Sequence, residues 1–222
     1  MNQGGITKMN KVISNVYCVG RNYRLHAEEL GNEVPTEPMI FMKPSHAVVS
    51  MNEGELVLPE NSGEVHYEAE LVIRIGRRYE PGMTVDELVD VMALGIDFTL
   101  RDVQSEIKRK GHPWTAAKGF RNSAPITPYI AFPGIEETAA EDFTLLLNEN
   151  LVQRGSISDM IFSLQQIVDY VGERYGLDEG DHIFTGTPAG VGPIYSGDKL
   201  ELSFGSRLLG SCEILKGPAR AK

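Results

Sequence analysis

The segment 63–76, GEVHYEAELVIRIG, constrains the fold more than any other part of the chain. Its second half, 71–75, is almost entirely apolar and predicts a buried β-strand. Side chains alternate between the two faces of a strand, so His66, Glu68 and Glu70 are expected to share one face. Two neighbouring carboxylates repel each other and resist burial, so this strand needs a reason to carry them.

The pair formed by Glu68 and Glu70 has two interpretations. One is a half-exposed strand with two surface carboxylates. The other is a site for a hard divalent cation, because paired carboxylates on a rigid strand are well placed to bind one. Such a site needs a further oxygen ligand, and Asp97 is the best candidate because it interrupts an apolar segment. Asp102 lies next to Arg101 and is better suited to an ion pair or a helix cap.

His26 and Glu29 lie three residues apart in the polar segment 22–31, NYRLHAEELG, for which we predict a short helix. Residues three apart share one face of a helix. A histidine held by a carboxylate is a usable general base near neutral pH. The H-x-x-E pattern is short, so a solvated helix face is the alternative interpretation.

Two further segments are candidates for contact with an anion. Lys118 lies among small and apolar residues in TAAKGF, where a lysine either extends to solvent or binds an anion. The glycine-rich stretch 184–192, FTGTPAGVG, follows a predicted strand, and such a turn can present N–H and hydroxyl groups to an anion. Its residue order is not that of a P-loop, and a plain tight turn is the alternative.

Composition limits the classes of partner and the cellular location. The net charge of −10 makes nucleic acid a poor partner, and an anionic ligand would need a few locally placed cations. No run of about 18 apolar residues occurs, so we expect no membrane span and a cytoplasmic protein. The length of 222 residues predicts one domain over 1–222, with 1–15 as a short N-terminal segment. Cys18 and Cys212 are predicted to be buried free thiols.

Strand-like segments outnumber helical ones along the chain. A hairpin is predicted over 142–155, with its turn at 148–150. Capping-box spacing predicts helices that begin after Thr84, in TVDELVDVMALG, and after Ser163, in SLQQIVDYVGERYG. There is no regular βα alternation, which favours an α+β or mostly-β sandwich or roll over a doubly wound fold.

Six motifs in fixed order, VGRNYRLHAEE, MKPS, HYEAEL, IDFTLRDVQ, PWTAAKGF and FTGTPAGVG, resemble the fumarylacetoacetate hydrolase family. The similarity extends over about 16–215 and is closest to the short acylpyruvase and oxaloacetate decarboxylase branch. It implies an α+β fold, a mixed β-sandwich roll with a few short helices, forming a single catalytic domain and a homodimer. The site residues it implies are the metal ligands Glu68, Glu70 and Asp97, the catalytic residues His26, Glu29 and Lys118, and the substrate-binding residues Arg21, Lys43, Gln104 and Thr187.

The resemblance also implies a reaction that depends on Mg²⁺ or Mn²⁺. It would be cleavage of the C3–C4 bond of 2,4-dioxo acids (acylpyruvate hydrolysis), or decarboxylation or keto–enol tautomerisation of oxaloacetate, through a metal-bound pyruvate enolate. A fumarylpyruvate hydrolase or related isomerase of aromatic catabolism is an alternative. Two alternatives from other classes are an inactive relative that binds metal and a dicarboxylate, and a purely structural β-domain.

Overall fold

The computed structural model of this chain describes residues 12–29, 31, 34–52, 54–60 and 63–217. The N-terminal segment expected over 1–15 therefore lies mostly outside the described residues. The strands are β1 (Val16–Gly20), β2 (Met39–Lys43), β3 (Val48–Ser50), β4 (Gly54–Val57), β5 (Val65–Tyr67), β6 (Ala69–Ile75), β7 (Val89–Ile96), β8 (Thr99–Leu100), β9 (Ala124–Ile126), β10 (Ile130–Ala131), β11 (Phe143–Leu147), β12 (Asn150–Gly155), β13 (His182–Phe184), β14 (Gly192–Pro193), β15 (Lys199–Phe204) and β16 (Arg207–Lys216). The helices are α1 (Arg24–Glu29), α2 (Val85–Leu88), α3 (Arg101–Lys110), α4 (Thr115–Lys118), α5 (Ile135–Ala139) and α6 (Leu164–Arg174), with short 3-10 helices at Ser45–Ala47 and Ile157–Asp159.

Within the described residues these strands form three sheets. The largest has the order β2-β1-β13-β6-β7-β9-β3, with β10 also paired to β7. The second has the order β12-β11-β15-β16-β4, and the third is the small sheet β14-β5-β8. Parallel and antiparallel pairs are mixed, and the helices are few and short, so the predicted α+β class is confirmed.

The segment 63–76 forms two strands rather than one. β5 and β6 are separated at Glu68, and they belong to different sheets. All seven residues of β6 are buried, which explains its apolar run, since β6 lies inside the large sheet between β13 and β7. Leu71 and Ile73 pack in the main core, whereas Val72 joins a smaller cluster on the opposite face with Phe184.

The predicted helix after Thr84 is much shorter than its sequence suggests. The capping box between Thr84 and Glu87 is present, but α2 ends at Leu88. The apolar residues that follow form β7, which pairs with β6 over 69–75. Central pairing in a sheet therefore overrides the local helical signal, as tertiary context commonly does.

Three other sequence predictions are confirmed. α6 begins at a complete capping box formed by Ser163 and Gln166. β11 and β12 form the expected hairpin, and its turn residues Asn148 and Glu149 both have positive φ. Cys18 and Cys212 are free and buried. No helix in the described part of the chain is long and apolar enough to span a membrane.

Candidate metal centre and active site

Three buried carboxylates meet where β5, β6 and β7 come together. Glu68 lies at the break between β5 and β6, Glu70 lies in β6, and Asp97 follows β7. Antiparallel pairing of β6 with β7 brings Asp97 opposite Glu68, and the Asp97 N–H donates to the Glu68 carbonyl at 2.8 Å. One oxygen from each carboxylate lies within 4.8 Å of the others. Asp102 is not part of this group, because its Oδ2 accepts from the Glu64 N–H at 3.0 Å.

Lys118, the last residue of α4, bridges two of these carboxylates. Its Nζ lies 2.8 Å from Glu68 Oε2 and 2.6 Å from Asp97 Oδ2. Burial disfavours the charge on this ammonium, but Asp97 and Glu68 outweigh burial and raise the pKa of Lys118. Lys118 is therefore a permanently charged group at the floor of the site, rather than a lysine that extends to solvent.

Lys43, at the end of β2, supports the centre from behind. Its Nζ lies 2.7 Å from Asp97 Oδ1 and donates to the carbonyls of Phe98 and Ser123 and to the Ser123 hydroxyl. It also donates to the Lys118 carbonyl. An ammonium has three protons, and protein oxygens already use them. The geometry therefore favours a role for Lys43 in positioning Asp97, not the direct substrate contact expected from the resemblance.

Arg101 is a residue of the cleft that sequence reasoning mentioned only as the neighbour of Asp102, for which an ion pair or a helix cap was expected. Its Nη2 instead lies 2.9 Å from Glu68 Oε1, and its Nη1 donates to Gln104 Oε1 at 2.7 Å. Thr99 also donates to Glu68 Oε1, at 3.2 Å. Glu68 and Asp97 are therefore each compensated by two cations, Glu68 by Arg101 and Lys118, and Asp97 by Lys43 and Lys118.

Glu68 and Glu70 differ sharply in electrostatic environment. Burial opposes the charge on Glu68, but Lys118 and Arg101 outweigh it and hold the pKa of Glu68 below its usual range. Burial, reinforced by the Asp97 carboxylate, raises the pKa of Glu70 well above its usual range, although a hydrogen bond from the Gly186 N–H at 2.7 Å favours its charged form.

A divalent cation fits this arrangement of oxygen donors. Among the described residues Glu70 is 1% exposed and has no ion-pair partner, so its charge lacks the compensation that a buried carboxylate needs. Three carboxylate oxygens are also the hard ligands that Mg²⁺ and Mn²⁺ prefer. The residues present can therefore hold a divalent metal ion, with Glu70 gaining the most from it.

His26 and Glu29 lie on α1 near the acidic centre. His26 is 4% exposed, and burial lowers its pKa more than the nearby carboxylates of Glu68 and Glu29 raise it. The ring is therefore neutral at pH 7, as a general base requires. Its Nδ1 is 3.7 Å from Glu29 Oε2, beyond hydrogen-bond distance, and has no hydrogen-bond partner among the described residues. Glu29 instead accepts from the Gly190 N–H at 3.1 Å.

The glycine-rich turn after β13 supports the site through its backbone. Gly186 has φ +103°, and a Cβ there would lie 2.6 Å from the Asn22 Cβ. Its N–H is directed at Glu70, so this donor holds a carboxylate of the protein itself. Thr187 donates its hydroxyl to the Ala69 carbonyl at 2.8 Å, so it can donate to a substrate only by releasing that bond.

Gln153, in β12, is a positioning residue that the sequence did not reveal. It is 2% exposed, accepts from the Ala69 N–H at 2.9 Å, and donates to Thr187 Oγ1 and the Pro188 carbonyl, both at 2.9 Å. It thus ties the glycine-rich turn to the start of β6. No alternation of apolar residues marks Gln153 as buried, since Leu151, two positions earlier in β12, is exposed, so only the fold shows what it contacts.

The centre lies in a narrow cleft with a cavity of about 30 Å³. Arg21 lines it, with φ +58°, a conformation that is uncommon for a residue with a side chain. The space suits one or two water molecules, so side chains must move to admit an organic acid. The predicted site residues that line the cleft are Arg21, His26, Glu68, Glu70, Asp97, Gln104, Lys118 and Thr187. Glu29 and Lys43 lie next to these residues rather than on the cleft wall.

Comparison with known proteins gives concordant matches over nearly the whole chain. A family model described as fumarylacetoacetate (FAA) hydrolase C-terminal matches residues 15–214. The mitochondrial oxaloacetate tautomerase of Mus musculus is 43% identical over 190 residues, covering 84% of this chain and 85% of that protein. The oxaloacetate tautomerase of Escherichia coli is 40% identical over 197 residues, covering 86% of this chain and 89% of that protein.

Solved structures show the same fold. The fumarylpyruvate hydrolase of Pseudomonas aeruginosa, solved in complex with Mn²⁺ and pyruvate, superimposes with a TM-score of 0.86 at 34% identity. The match covers 95% of this chain and 93% of that one. The mixed β-sandwich roll expected from the six motifs is thereby confirmed.

Proposed function

This chain belongs to the fumarylacetoacetate hydrolase family and is an enzyme of that family, and we propose that it interconverts the keto and enol forms of oxaloacetate. The observation that carries the proposal is the buried group of Glu68, Glu70 and Asp97, bridged by Lys118 and close to a neutral His26. The names of two relatives, both oxaloacetate tautomerases, support this substrate.

We assign Glu68, Glu70 and Asp97 as the ligands of a Mg²⁺ or Mn²⁺ ion. When bound, such an ion supplies positive charge that polarises a keto oxygen and favours the enolate form of a 2-oxo acid. Mn²⁺ accompanies pyruvate in the Pseudomonas aeruginosa relative, which supports a divalent ion next to a 2-oxo acid. A turnover screen with Mg²⁺ and with Mn²⁺ distinguishes the two ions.

The protein side chains would divide the proton transfers between them. His26, neutral and buried, would remove the proton from C3, and the electron pair of that C–H bond would form the C2–C3 double bond. The negative charge would move to the oxygen on C2, where the Lys118 ammonium would stabilise it. Transfer of this proton from His26 to the oxygen on C2 gives the enol, and the reverse steps restore the keto acid.

Other residues of the cleft would orient the substrate. Arg21 has no carboxylate partner among the described residues, so its guanidinium is available to the 1-carboxylate. Gln104 Oε1 accepts from Arg101, which leaves the amide N–H groups of Gln104 for a substrate oxygen. Thr187 would assist only after release of its bond to Ala69.

A second activity, hydrolysis of acylpyruvates at the C3–C4 bond, is favoured by the position of His26 and Glu29. If a small rotation of α1 brought Nδ1 within hydrogen-bond distance of Glu29, His26 would activate a water for attack on the C4 carbonyl. The fumarylpyruvate hydrolase neighbour supports this route. Decarboxylation of oxaloacetate uses the same enolate and needs no water.

A turnover screen tests the proposal. Oxaloacetate tautomerisation and decarboxylation, and hydrolysis of acetylpyruvate and fumarylpyruvate, are measured with EDTA and after addition of Mg²⁺ or Mn²⁺. We expect a metal-dependent rate that Asp97→Asn lowers at least a hundredfold. Asp102→Asn is the matched control, because Asp102 lies five residues away and outside the centre, and it should retain activity. Full activity in EDTA would refute the metal assignment.

The screen also addresses the alternatives from other classes. An inactive relative would bind Mn²⁺ and show no turnover, and a structural β-domain would bind no stoichiometric metal. We infer in addition that residues 1–222 act as one catalytic domain, that the protein is a homodimer and that it is cytoplasmic. These stay predictions, and light scattering of the purified protein would measure the oligomeric state.

A further inference from the structure

One face of α3 is directed at the cleft along its whole length. Arg101, Gln104 and Lys108 occupy positions i, i+3 and i+7, which share a helix face, and all three line the cleft. Lys110, two residues further on, lies on the outer side and pairs with Glu106 at 2.6 Å. The first two cleft-facing residues have roles in the site described above, whereas Lys108 has none.

Lys108 is a cation of the cleft with no ion-pair partner in the described part of the chain. Four cations line the cleft, of which Arg101 and Lys118 are paired with the acidic centre. Among the described residues Arg21 and Lys108 have no carboxylate partner. Lys108 keeps an exposed side, but partial burial of its ammonium, with the charges of Arg21 and Arg101, lowers its pKa, so an anion bound beside it would favour its charged form.

An aromatic wall connects Lys108 to the acidic centre. The Lys108 Nζ lies 5.1 Å from the centroid of the Trp114 ring, and Trp114 packs against Phe41 with a centroid distance of 5.5 Å. The Lys118 Nζ lies 5.1 Å from the centroid of the Phe41 ring. Phe41 and Trp114 both line the cleft, so a path bordered by apolar rings runs from Lys118 to Lys108.

We propose that Lys108 binds the distal carboxylate of the substrate and so sets the preference of this enzyme for dicarboxylic over monocarboxylic 2-oxo acids. The inference rests on the proposed function and deepens it. A substrate held at its 2-oxo acid end by Lys118 and Arg21 would extend along Phe41 and Trp114 and end at Lys108. A 2-oxo acid with an uncharged end would leave this ammonium without a partner.

The charge of the cleft agrees with a dianionic substrate. Its lining has four cations against the three carboxylates, and a divalent metal ion would add two positive charges. The resulting excess of three positive charges is offset better by two carboxylates than by one. Anion capture by such a site in a protein of net charge −10 also meets the need for locally placed cations.

The test compares Lys108→Met with the matched control Lys110→Met. Both remove one lysine from the last turn of α3, where positive charges also favour the helix C-terminus, but only Lys108 lines the cleft. The values of kcat/KM are measured for fumarylpyruvate, which has a distal carboxylate, and for acetylpyruvate, which has none. Calorimetry on the Mn²⁺-loaded protein measures binding of 2-oxoglutarate and of 2-oxopentanoate, a pair that differs only by a distal carboxylate.

A charge-assisted hydrogen bond sets the expected preference. Lys108→Met should lower the ratio of fumarylpyruvate to acetylpyruvate kcat/KM, and the ratio of 2-oxoglutarate to 2-oxopentanoate affinity, by about ten- to a hundredfold. Lys110→Met should change neither ratio more than about twofold.

Equal losses for both members of each pair, or no loss, would overturn the inference. Because calorimetry needs no turnover, failure of the proposed function would appear separately. In that event no substrate would react, while the preference for 2-oxoglutarate and its dependence on Lys108 would still decide the role of this lysine.

Discussion

Replacement of Glu70 by glutamine should have opposite effects on the metal-free and the metal-loaded protein. Glu70 is buried without an ion-pair partner among the described residues, and its pKa is raised. Glutamine keeps an oxygen that can accept from the Gly186 N–H but removes the charge. Metal-free Glu70→Gln should therefore be more stable than metal-free wild type, by about 1–3 kcal/mol. For a chain of this length each kcal/mol raises Tm by about 2–4 °C.

Metal should reverse this order. A ligand present at a hundred times its Kd stabilises the native state by about 2.7 kcal/mol. Wild type should gain this amount with Mn²⁺, and Glu70→Gln should gain little because one of the three carboxylate ligands is gone. Differential scanning calorimetry with EDTA and with Mn²⁺ measures both effects.

The control is Glu55→Gln, which removes one carboxylate from an exposed strand position. It should change neither the free energy of unfolding nor its increase with Mn²⁺ by more than about 0.5 kcal/mol. Metal-free Glu70→Gln less stable than wild type would refute the argument that Glu70 lacks a compensating charge. An undiminished rise of Tm with Mn²⁺ would refute its assignment as a ligand.

Three further predictions concern other residues. His26→Ala should lower acylpyruvate hydrolysis about a hundred- to ten-thousandfold, and oxaloacetate decarboxylation much less, because only hydrolysis needs an activated water; parallel rate assays measure both. His182 is buried, and its pKa is lowered to about 4. As pH falls from about 6.5 to 4, the free energy of unfolding should fall by about 3 kcal/mol, because only the unfolded state takes up the proton in that window; urea titrations across that range measure it. Gln153→Leu leaves the Ala69 N–H and the Pro188 carbonyl without their partner. It should lower the free energy of unfolding by about 2–5 kcal/mol and lower kcat/KM through displacement of the glycine-rich turn; denaturation and kinetic assays measure these effects.

Contrary outcomes and control variants test the roles of these three residues. Equal losses of hydrolysis and decarboxylation in His26→Ala would indicate a role in closing the cleft or in binding. His182→Gln can still form hydrogen bonds with Gly180 and Tyr129, and it should reduce the loss of stability between pH 6.5 and 4. An unchanged loss would show that other groups cause it. Leu151→Ala, exposed on the strand of Gln153, should be nearly neutral, and equal effects of the two substitutions would contradict the buried role of Gln153.

The three carboxylates of the acidic centre could be predicted to lie together because their signals are local. Glu68 and Glu70 stand out against the apolar run of β6, and Asp97 stands out against the end of β7. Buried carboxylates inside an apolar strand need a compensating partner, so the pattern marks them as candidates for a site. The motif resemblance added Arg21 and Gln104, which pattern alone does not single out.

Other parts of the site depend on contacts between distant segments. Sequence reasoning gave Arg101 no role in the site, but the fold directs its guanidinium to Glu68. Lys43 was expected to contact substrate, yet carbonyls from far along the chain surround its ammonium. Gln153 contacts residues 34 and 84 positions away. These contacts are set by the order of the strands in the sheets, which the spacing of residues in the sequence does not reveal.

The sequence by itself determined the α+β class, the acidic centre and the helix that carries His26 and Glu29, because periodicity, burial cost and caps act within a few residues. Only the tertiary structure decided that 89–96 is a strand, since its pairing with β6 outweighs a local helical preference. It alone decided which carboxylates are ion-paired and which is not. Electrostatic energy depends on distance in space, and the fold brings Lys118 to Glu68 across 50 residues, while Glu70 has no ion-pair partner among the described residues.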